Sequence, residues 1–268
     1  VNDITGRKYY QLEQELEDKL GLKEVFIVDT AEDVDTTKEA IGEAGAAYLA
    51  RILRDGDIVG VSMGSTLAKI LNYPQQKIFS GVTFVPMIGG IGILANNLHS
   101  NTIAEGLSTN FGGNYLPIHA PAMVSRIKTK TELMKEASIK RVFKKASRMN
   151  IALMGIGAPT PDSTIFKTGY FNHDMLREIA DEKICGDICM NLYDKSGNIE
   201  RFKYNETVIG INVKTLKNVP YSIAMCCGEN KVSAILGALA GGYINVLITD
   251  LNTARLLNHF EEDDPVTP

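Results

Sequence analysis

Short continuous apolar runs alternate along the chain with longer stretches in which apolar residues recur every third or fourth position. That is the pattern of buried strands separated by amphipathic helices. The strands it predicts are Glu24–Asp29, Asp57–Val61, Val82–Met87, Asn114–Ile118, Ile151–Ile156, Ile188–Tyr193, Tyr221–Cys226 and Ile244–Ile248. The helices are roughly Asp35–Leu53, Ser65–Leu71, Leu98–Phe111, Lys130–Ile139, Ile139–Met149, His173–Glu182, Asn230–Ala240 and Asp250–Asn258. Runs such as Ile151-Ala-Leu-Met-Gly-Ile156 lack polar alternation, so both faces of the sheet are covered, as in parallel sheets. The expectation is an open, doubly wound, mostly parallel α/β sheet with ligands in the crevice at the carboxyl ends of its strands.

Two segments stand outside this alternation. Tyr9 to Leu20 sets Tyr9, Leu12, Leu16 and Leu20 at helical spacing with acids between them, and Gly21 stops it. Leu192–Ile199 with the charged Glu200-Arg-Phe-Lys203 reads as a hairpin or surface excursion. With no low-complexity linker and no repeat, one domain preceded by a helix is the economical organisation.

The chain has 268 residues, 44% of them hydrophobic, which is long enough for a full buried core. A net charge of −4 argues against a broad basic face for DNA. No apolar run approaches the ~20 residues of a membrane span, so the chain is expected to be cytoplasmic. It begins at Val1 without a methionine, which leaves room for a preceding part. Cys185, Cys189, Cys226 and Cys227 match no zinc spacing and read as reduced core thiols.

The chemistry concentrates in Asp57-Ile-Val-Gly-Val-Ser-Met-Gly-Ser-Thr66, where a strand ends in a Gly/Ser/Thr loop and a helix starts at once. Such a junction offers hydroxyls and unpaired N–H groups to an anion, with Gly60 and Gly64 admitting a close approach. The same letters spell the GxSxG elbow of serine hydrolases around Ser62, but a triad needs an acid and a histidine downstream, and the only late histidine, His259, lies in a charged tail. An ordinary tight turn is the third reading.

Three more Gly-rich loops follow apolar strands. Gly90 to Ala95 contains GxGxxA without the acid a dinucleotide fold expects; Met154-Gly-Ile-Gly-Ala-Pro-Thr-Pro161 is open and rigid; Met225-Cys-Cys-Gly-Glu-Asn-Lys231 places Lys231 in a first helical turn, where a cation is unfavourable unless an anion binds nearby. Asp187 accepts sugar hydroxyls or caps a strand, and His99 donates to a phosphate or caps its turn. His119 and His173 read as structural or exposed, and Lys140-Arg-Val-Phe-Lys-Lys145 as a solvated basic face.

Taken in order, these loops resemble the effector-binding domain of the SorC family of bacterial sugar-responsive transcription regulators, which includes DeoR-type members. The pieces that carry the resemblance are Gly60-Val-Ser-Met-Gly-Ser-Thr66, Gly89-Gly90 with His99-Ser-Asn-Thr-Ile103, Gly155-Ile-Gly157, Gly186-Asp-Ile188, Cys227-Gly-Glu-Asn-Lys-Val-Ser-Ala-Ile235 and Leu247-Ile-Thr-Asp-Leu-Asn-Thr-Ala254. The resemblance implies a Rossmann-like fold similar to ribose-5-phosphate isomerase and glucosamine-6-phosphate deaminase. It makes residues 1–21 a linker helix from an absent helix-turn-helix domain and residues 22–268 a sugar-binding domain. It places the phosphate loop on Gly64, Ser65 and Thr66, a ligand-side carboxylate on Asp187 and a phosphate or sugar contact on Lys231, with Gly90, His99, Gly155 and Gly157 lining the same crevice. Ile88 stands where glycolytic members carry an arginine, which favours a mono-phosphorylated or free sugar over a bisphosphate.

The function so implied is a non-catalytic sensor: a sugar or sugar-phosphate effector, operator DNA contacted through the absent domain, a homodimer or tetramer, and neither metal nor cofactor. The rival is a sugar-phosphate isomerase or deaminase on the same fold, with Asp187 and His99 as its acid–base groups.

Overall fold

The computed structural model describes residues 8–75, 77–92, 96–160, 163 and 183–260. Its main sheet has seven strands: β1 (Glu24–Val28), β2 (Ile58–Val61), β3 (Thr83–Pro86), β4 (Asn114–Tyr115), β5 (Ile151–Met154), β8 (Tyr221–Met225) and β9 (Val246–Asp250). They lie in the order β1-β9-β8-β5-β2-β3-β4, and every neighbouring pair is parallel. The doubly wound α/β expectation therefore holds. From β2 the chain winds towards β3 and β4, whereas from β5 it winds the other way through β8 to β9, so the order reverses between β2 and β5. Ligand crevices open at such switch points.

Helices cover both faces because successive strand residues point to opposite sides. Val59, Val61, Ile151 and Leu153 meet Ile41 and Leu49 of α2 (Val34–Ile52) and Ile103 and Leu107 of α4 (Ser100–Phe111). Val85, Ala152 and Met154 share the opposite core with Val142 and Phe143 of α6 (Ala137–Ala146), Ile235 of α7 (Val232–Ala240) and Leu257 of α8 (Leu251–His259). The remaining helices are α1 (Tyr10–Leu20), α3 (Ser65–Ala68) and α5 (Ile127–Leu133). Among the described residues no helix is long and apolar enough to cross a membrane.

Helix α1 does more than turn an apolar stripe inward. Its Glu13, read from sequence as one of the intervening acids, is buried and accepts the N–H of Ile27 at 2.9 Å, and Glu17 accepts that of Val25 at 2.9 Å. These carboxylates occupy the outer hydrogen-bonding edge of β1, an edge strand that would otherwise be open to a foreign strand.

The predicted strand Ile188–Tyr193 is a hairpin: β6 (Ile184–Ile188) and β7 (Asn191–Asp194) pair antiparallel, outside the main sheet. Cys189 and Met190 form its two-residue turn at φ 50° and 60°. Such turns need the left-handed region and normally use Asn-Gly, so Cys-Met carries no turn signal. The excursion expected over Leu192–Ile199 thus begins only after Asp194, whose Oδ1 accepts the N–H groups of Ser196 and Asn198 at 3.0 Å each. Nor is the following stretch purely surface, since Phe202 is buried.

Other boundaries move by less. Strand Asn114–Ile118 shrinks to β4, and helix Lys130–Ile139 lies earlier, as α5, before a break ahead of α6. Helix Ser65–Leu71 is one α-turn followed by a 3-10 turn, Lys69–Asn72. The predicted helix His173–Glu182 lies outside the described residues.

Candidate functional site

At the switch point a cleft of about 530 Å³ opens over the carboxyl ends of β2, β5 and β8. Three loops and the β6–β7 hairpin wall it, and they bring together Gly64, Ser65, Thr66, Gly155, Gly157, Asp187 and Lys231. Seven of the nine residues singled out in the sequence therefore share one cavity.

The loop after β2 supplies the polar floor. Gly64 precedes α3 at φ 136°, ψ 155°, a conformation essentially reserved for glycine, while an added Cβ there would meet nothing within 4 Å. Backbone geometry fixes this residue, and the space beside it belongs to the cleft. No side chain caps the first turn that follows, which leaves its leading N–H groups available, and Ser65 and Thr66 line the cleft. Because α3 is a single turn, these local donors outweigh any helix dipole.

Gly60 has a different task from the ligand approach expected of it. Inside β2, a Cβ there would come within 2.4 Å of Met149 and 2.9 Å of Met87, so this glycine admits core side chains. Ser62 is buried, and its hydroxyl accepts the thiol of Cys189 at 3.3 Å. Among the described residues no histidine lines the cleft, and none of them completes a nucleophile-elbow triad there.

Opposite this floor, Gly157 and Asp187 form an antiparallel bridge that ties the β5 loop to the hairpin. Asp187 is buried, and the N–H of Met190 is its backbone donor. Burial pushes its carboxyl up to about 6, against the pull of Lys231 and of the Met190 N–H. Lys231 ends a 3-10 turn and stands at the N-cap of α7. A buried carboxylate and a lysine whose charge acts on it thus line the same cleft.

Gly90 and His99 lie elsewhere. Gly90 is bridged to Pro121, with its N–H on the Ala120 carbonyl at 2.8 Å, and His99 Nδ1 accepts the N–H of Ile91 at 3.3 Å. His99 therefore pins the Gly-rich loop after β3. The neighbouring motif residues are structural as well: Ser100 donates to the Ile88 carbonyl at 2.8 Å, and Asn101 clamps both backbone groups of Ile118. Ile88 is itself fully buried.

Some lining residues gave no signal in the sequence. Lys38 reaches the cleft from α2, beside Cys227; of the cysteines read as core thiols, Cys185, Cys189 and Cys226 are free and buried and Cys227 is half-buried, and Cys189, Cys226 and Cys227 also line the cavity. Burial pushes their thiols up to about 12, 12 and 11. They are protonated near neutral pH and poor nucleophiles. Behind the wall, the Gly228 N–H reaches Thr253 Oγ1 at 2.9 Å and Asp250 Oδ1 at 3.3 Å, which anchors the Lys231 loop to the start of α8.

Residues 7–258 match the Sugar-bind family model, a sugar-binding domain. The deoxyribonucleoside regulator of Bacillus subtilis is 35% identical over 90% of this chain and 77% of its own length. The sorbitol operon regulator of Klebsiella pneumoniae is 31% identical over 92% of this chain and 79% of its own length. The crystal structure of the full-length Klebsiella regulator superposes with a TM-score of 0.88 at 31% identity, covering 96% of this chain and 83% of that one.

Proposed function

The chain belongs to the sugar-binding domain family of SorC/DeoR-type transcriptional regulators, and from that premise we propose that the switch-point cleft takes a mono-phosphorylated or free sugar as effector. The observation that carries this reading is the convergence of Ser65, Thr66, Lys231 and the buried Asp187 on one cavity. Ser65, Thr66 and the free N–H groups of their turn hold the phosphate, Asp187 accepts hydroxyls from the sugar, and Lys231 bridges the two. Gly155 lines the β5 wall beside the ring, and Gly157 leaves room for the Asp187 carboxylate to stand in the site.

Effector binding is coupled to operator DNA through a helix-turn-helix domain preceding α1, in a cytoplasmic homodimer or tetramer. A coupling of ~1–3 kcal/mol is enough for such a switch. The chain acts as a sensor without catalysis. An isomerase would need its ring-opening histidine beside Asp187, whereas His99 is engaged by the loop after β3.

A panel of sugar phosphates and free sugars, read by thermal shift and by NMR of the recovered ligand, tests this directly. Stabilisation without turnover is expected, about 2.7 kcal/mol at a hundredfold excess over Kd. Turnover at enzymatic rates overturns it. Thr66→Ala and Lys231→Ala should each abolish the shift while the free protein keeps its stability, and an unchanged response in both removes these residues from the site.

A further inference from the structure

A second cavity, of about 500 Å³, lies at the opposite end of the sheet, between edge strand β4 and helix α6. Thr83, Asn114, Tyr115 and Leu116 form one wall, and Arg141, Lys144, Lys145 and Arg148 the other. Arg141, Lys144 and Lys145 follow i, i+3, i+4 spacing and share one face of α6, and Arg148 joins them from the turn after the helix.

None of these four side chains makes an ion pair or hydrogen bond with another described residue, whereas Lys8, Arg51, Lys69, Arg201 and Lys214 all pair with carboxylates. Like charges three and four residues apart oppose each other and destabilise a helix. The negative end of α6 offsets this for Lys144 and Lys145 in its last turn. It does not account for Arg141 in mid-helix or for Arg148 beyond the helix end. The nearby acid whose field reaches this wall is Glu105, which acts on Tyr115. Opposite the stripe, β4 pairs only with β3 among the described strands, so its outer backbone edge is open to hydrogen bonding.

We propose that this cavity is a second ligand site, built for a small polyanion carrying two or more phosphates. Its volume lies in the range of small-molecule sites, about 300–1,000 Å³. Two guanidiniums supply forked donors for phosphate oxygens, two ammoniums supply point charges, and Asn114 and Tyr115 supply neutral polar groups. A duplex suits the place less well: the cations are gathered around a concavity rather than laid along a ridge, in a chain whose net charge is −4.

Isothermal titration of the whole chain with sodium tripolyphosphate tests the proposal, with Arg141→Gln/Lys145→Gln and Thr66→Ala as companion variants. Saturable one-to-one binding is expected in the wild type and undiminished in Thr66→Ala. In the double glutamine variant it should be weaker by at least about tenfold. Circular dichroism should show that variant folded, since Arg141 is exposed and Lys145 half-buried. Absence of saturable binding, equal binding by the double variant, or loss in Thr66→Ala overturns it. So does a DNA duplex that binds through the same two residues when tripolyphosphate does not.

Discussion

Gly157 and Asp187 exchange both backbone hydrogen bonds at 3.0 Å, and a Cβ on Gly157 would stand only 1.7 Å from Asp187 Oδ1. The carboxylate at the heart of the cleft is held in place because residue 157 has no side chain. Gly157→Ala must push the Asp187 side chain or the whole hairpin aside, at a cost of about 1–3 kcal/mol. Urea denaturation should show a lowered midpoint together with loss of effector binding. Gly64→Ala, strained by its φ of 136° but facing open space, should lose about 1–3 kcal/mol for backbone reasons alone. Unaltered stability and affinity in the Gly157→Ala variant would refute the steric account.

The buried carboxyl of Asp187 also sets a pH dependence. Its value in the fold, about 6, lies above the ordinary carboxylate value near 4 of the unfolded chain. Between those values the folded state binds the extra proton. The contribution is therefore full at the acid end and lost as pH rises from about 4 to about 6, by something of order 2–3 kcal/mol. Asp187→Asn should be flatter over that window and more stable than wild type near pH 7. Melting temperatures at pH 4.5 and 6.5 for both proteins give the comparison, about two pH units apart; equal slopes would remove Asp187 as the titrating group.

Much of this fold was legible because parallel strands advertise themselves. Ile151–Met154 and Val246–Asp250 are buried on both faces, and continuous apolar runs have few other uses in a chain of this composition. The cleft followed from the loops, since glycine, serine and threonine at a strand end leave few alternatives to a turn or an anion cradle. The hairpin was hidden because Cys189-Met190 adopts a turn conformation that its side chains do not favour. Lys38 was hidden because its approach to the cleft depends on how α2 packs across the sheet, which spacing within α2 does not encode. His99 was open to two readings, a phosphate donor or a cap of its turn, and what spacing did not encode is that its Nδ1 accepts the Ile91 N–H from the loop after β3.

Glu13 offers a test of the role of α1. Its carboxylate satisfies the N–H of Ile27, so Glu13→Ala leaves a donor on the sheet edge without its partner, at about 1–3 kcal/mol. Hydrogen exchange at Ile27 should accelerate by the same free energy. Glu13→Gln retains an acceptor oxygen and should recover most of the protection. If both variants exchange as slowly as wild type, the edge is protected by something other than this helix.

Lys38 is the cleft cation that the sequence did not disclose. On the same helix Asp35 and Glu39 are both engaged by Lys69, at 2.7 Å each, whereas Lys38 makes no ion pair among the described residues and its charge acts on Asp33 and on Cys227 at the cleft. Lys38→Met keeps the aliphatic stem and removes the charge, so stability should change by less than about 0.5 kcal/mol. Affinity for a phosphorylated sugar should fall about five- to tenfold, and affinity for the unphosphorylated sugar should stay the same. Equal losses for both ligands would mean that the stem, rather than the charge, makes the contact.

The hydrogen-bond cluster around Asp250 connects the cleft to the far edge of the sheet. Its buried carboxylate takes Thr30 Oγ1 at 2.6 Å, the Thr253 hydroxyl and the N–H groups of Gly228, Asn252 and Thr253. Burial pushes its pKa upward, but these donors outweigh burial and hold it below the usual carboxylate range. Its stabilisation is therefore present above about pH 4 and lost as pH falls through the lowered value. Asp250→Ala removes one acceptor and strands several donors, so a loss of about 2–4 kcal/mol is expected at neutral pH. The gap from wild type should narrow on acidification, which a purely packing defect would not do. Because the Gly228 N–H belongs to the loop that carries Lys231, the variant should also bind effector more weakly than its stability loss alone explains. Asp250→Asn, which keeps an acceptor oxygen but not the charge, should fall between the two in both measurements.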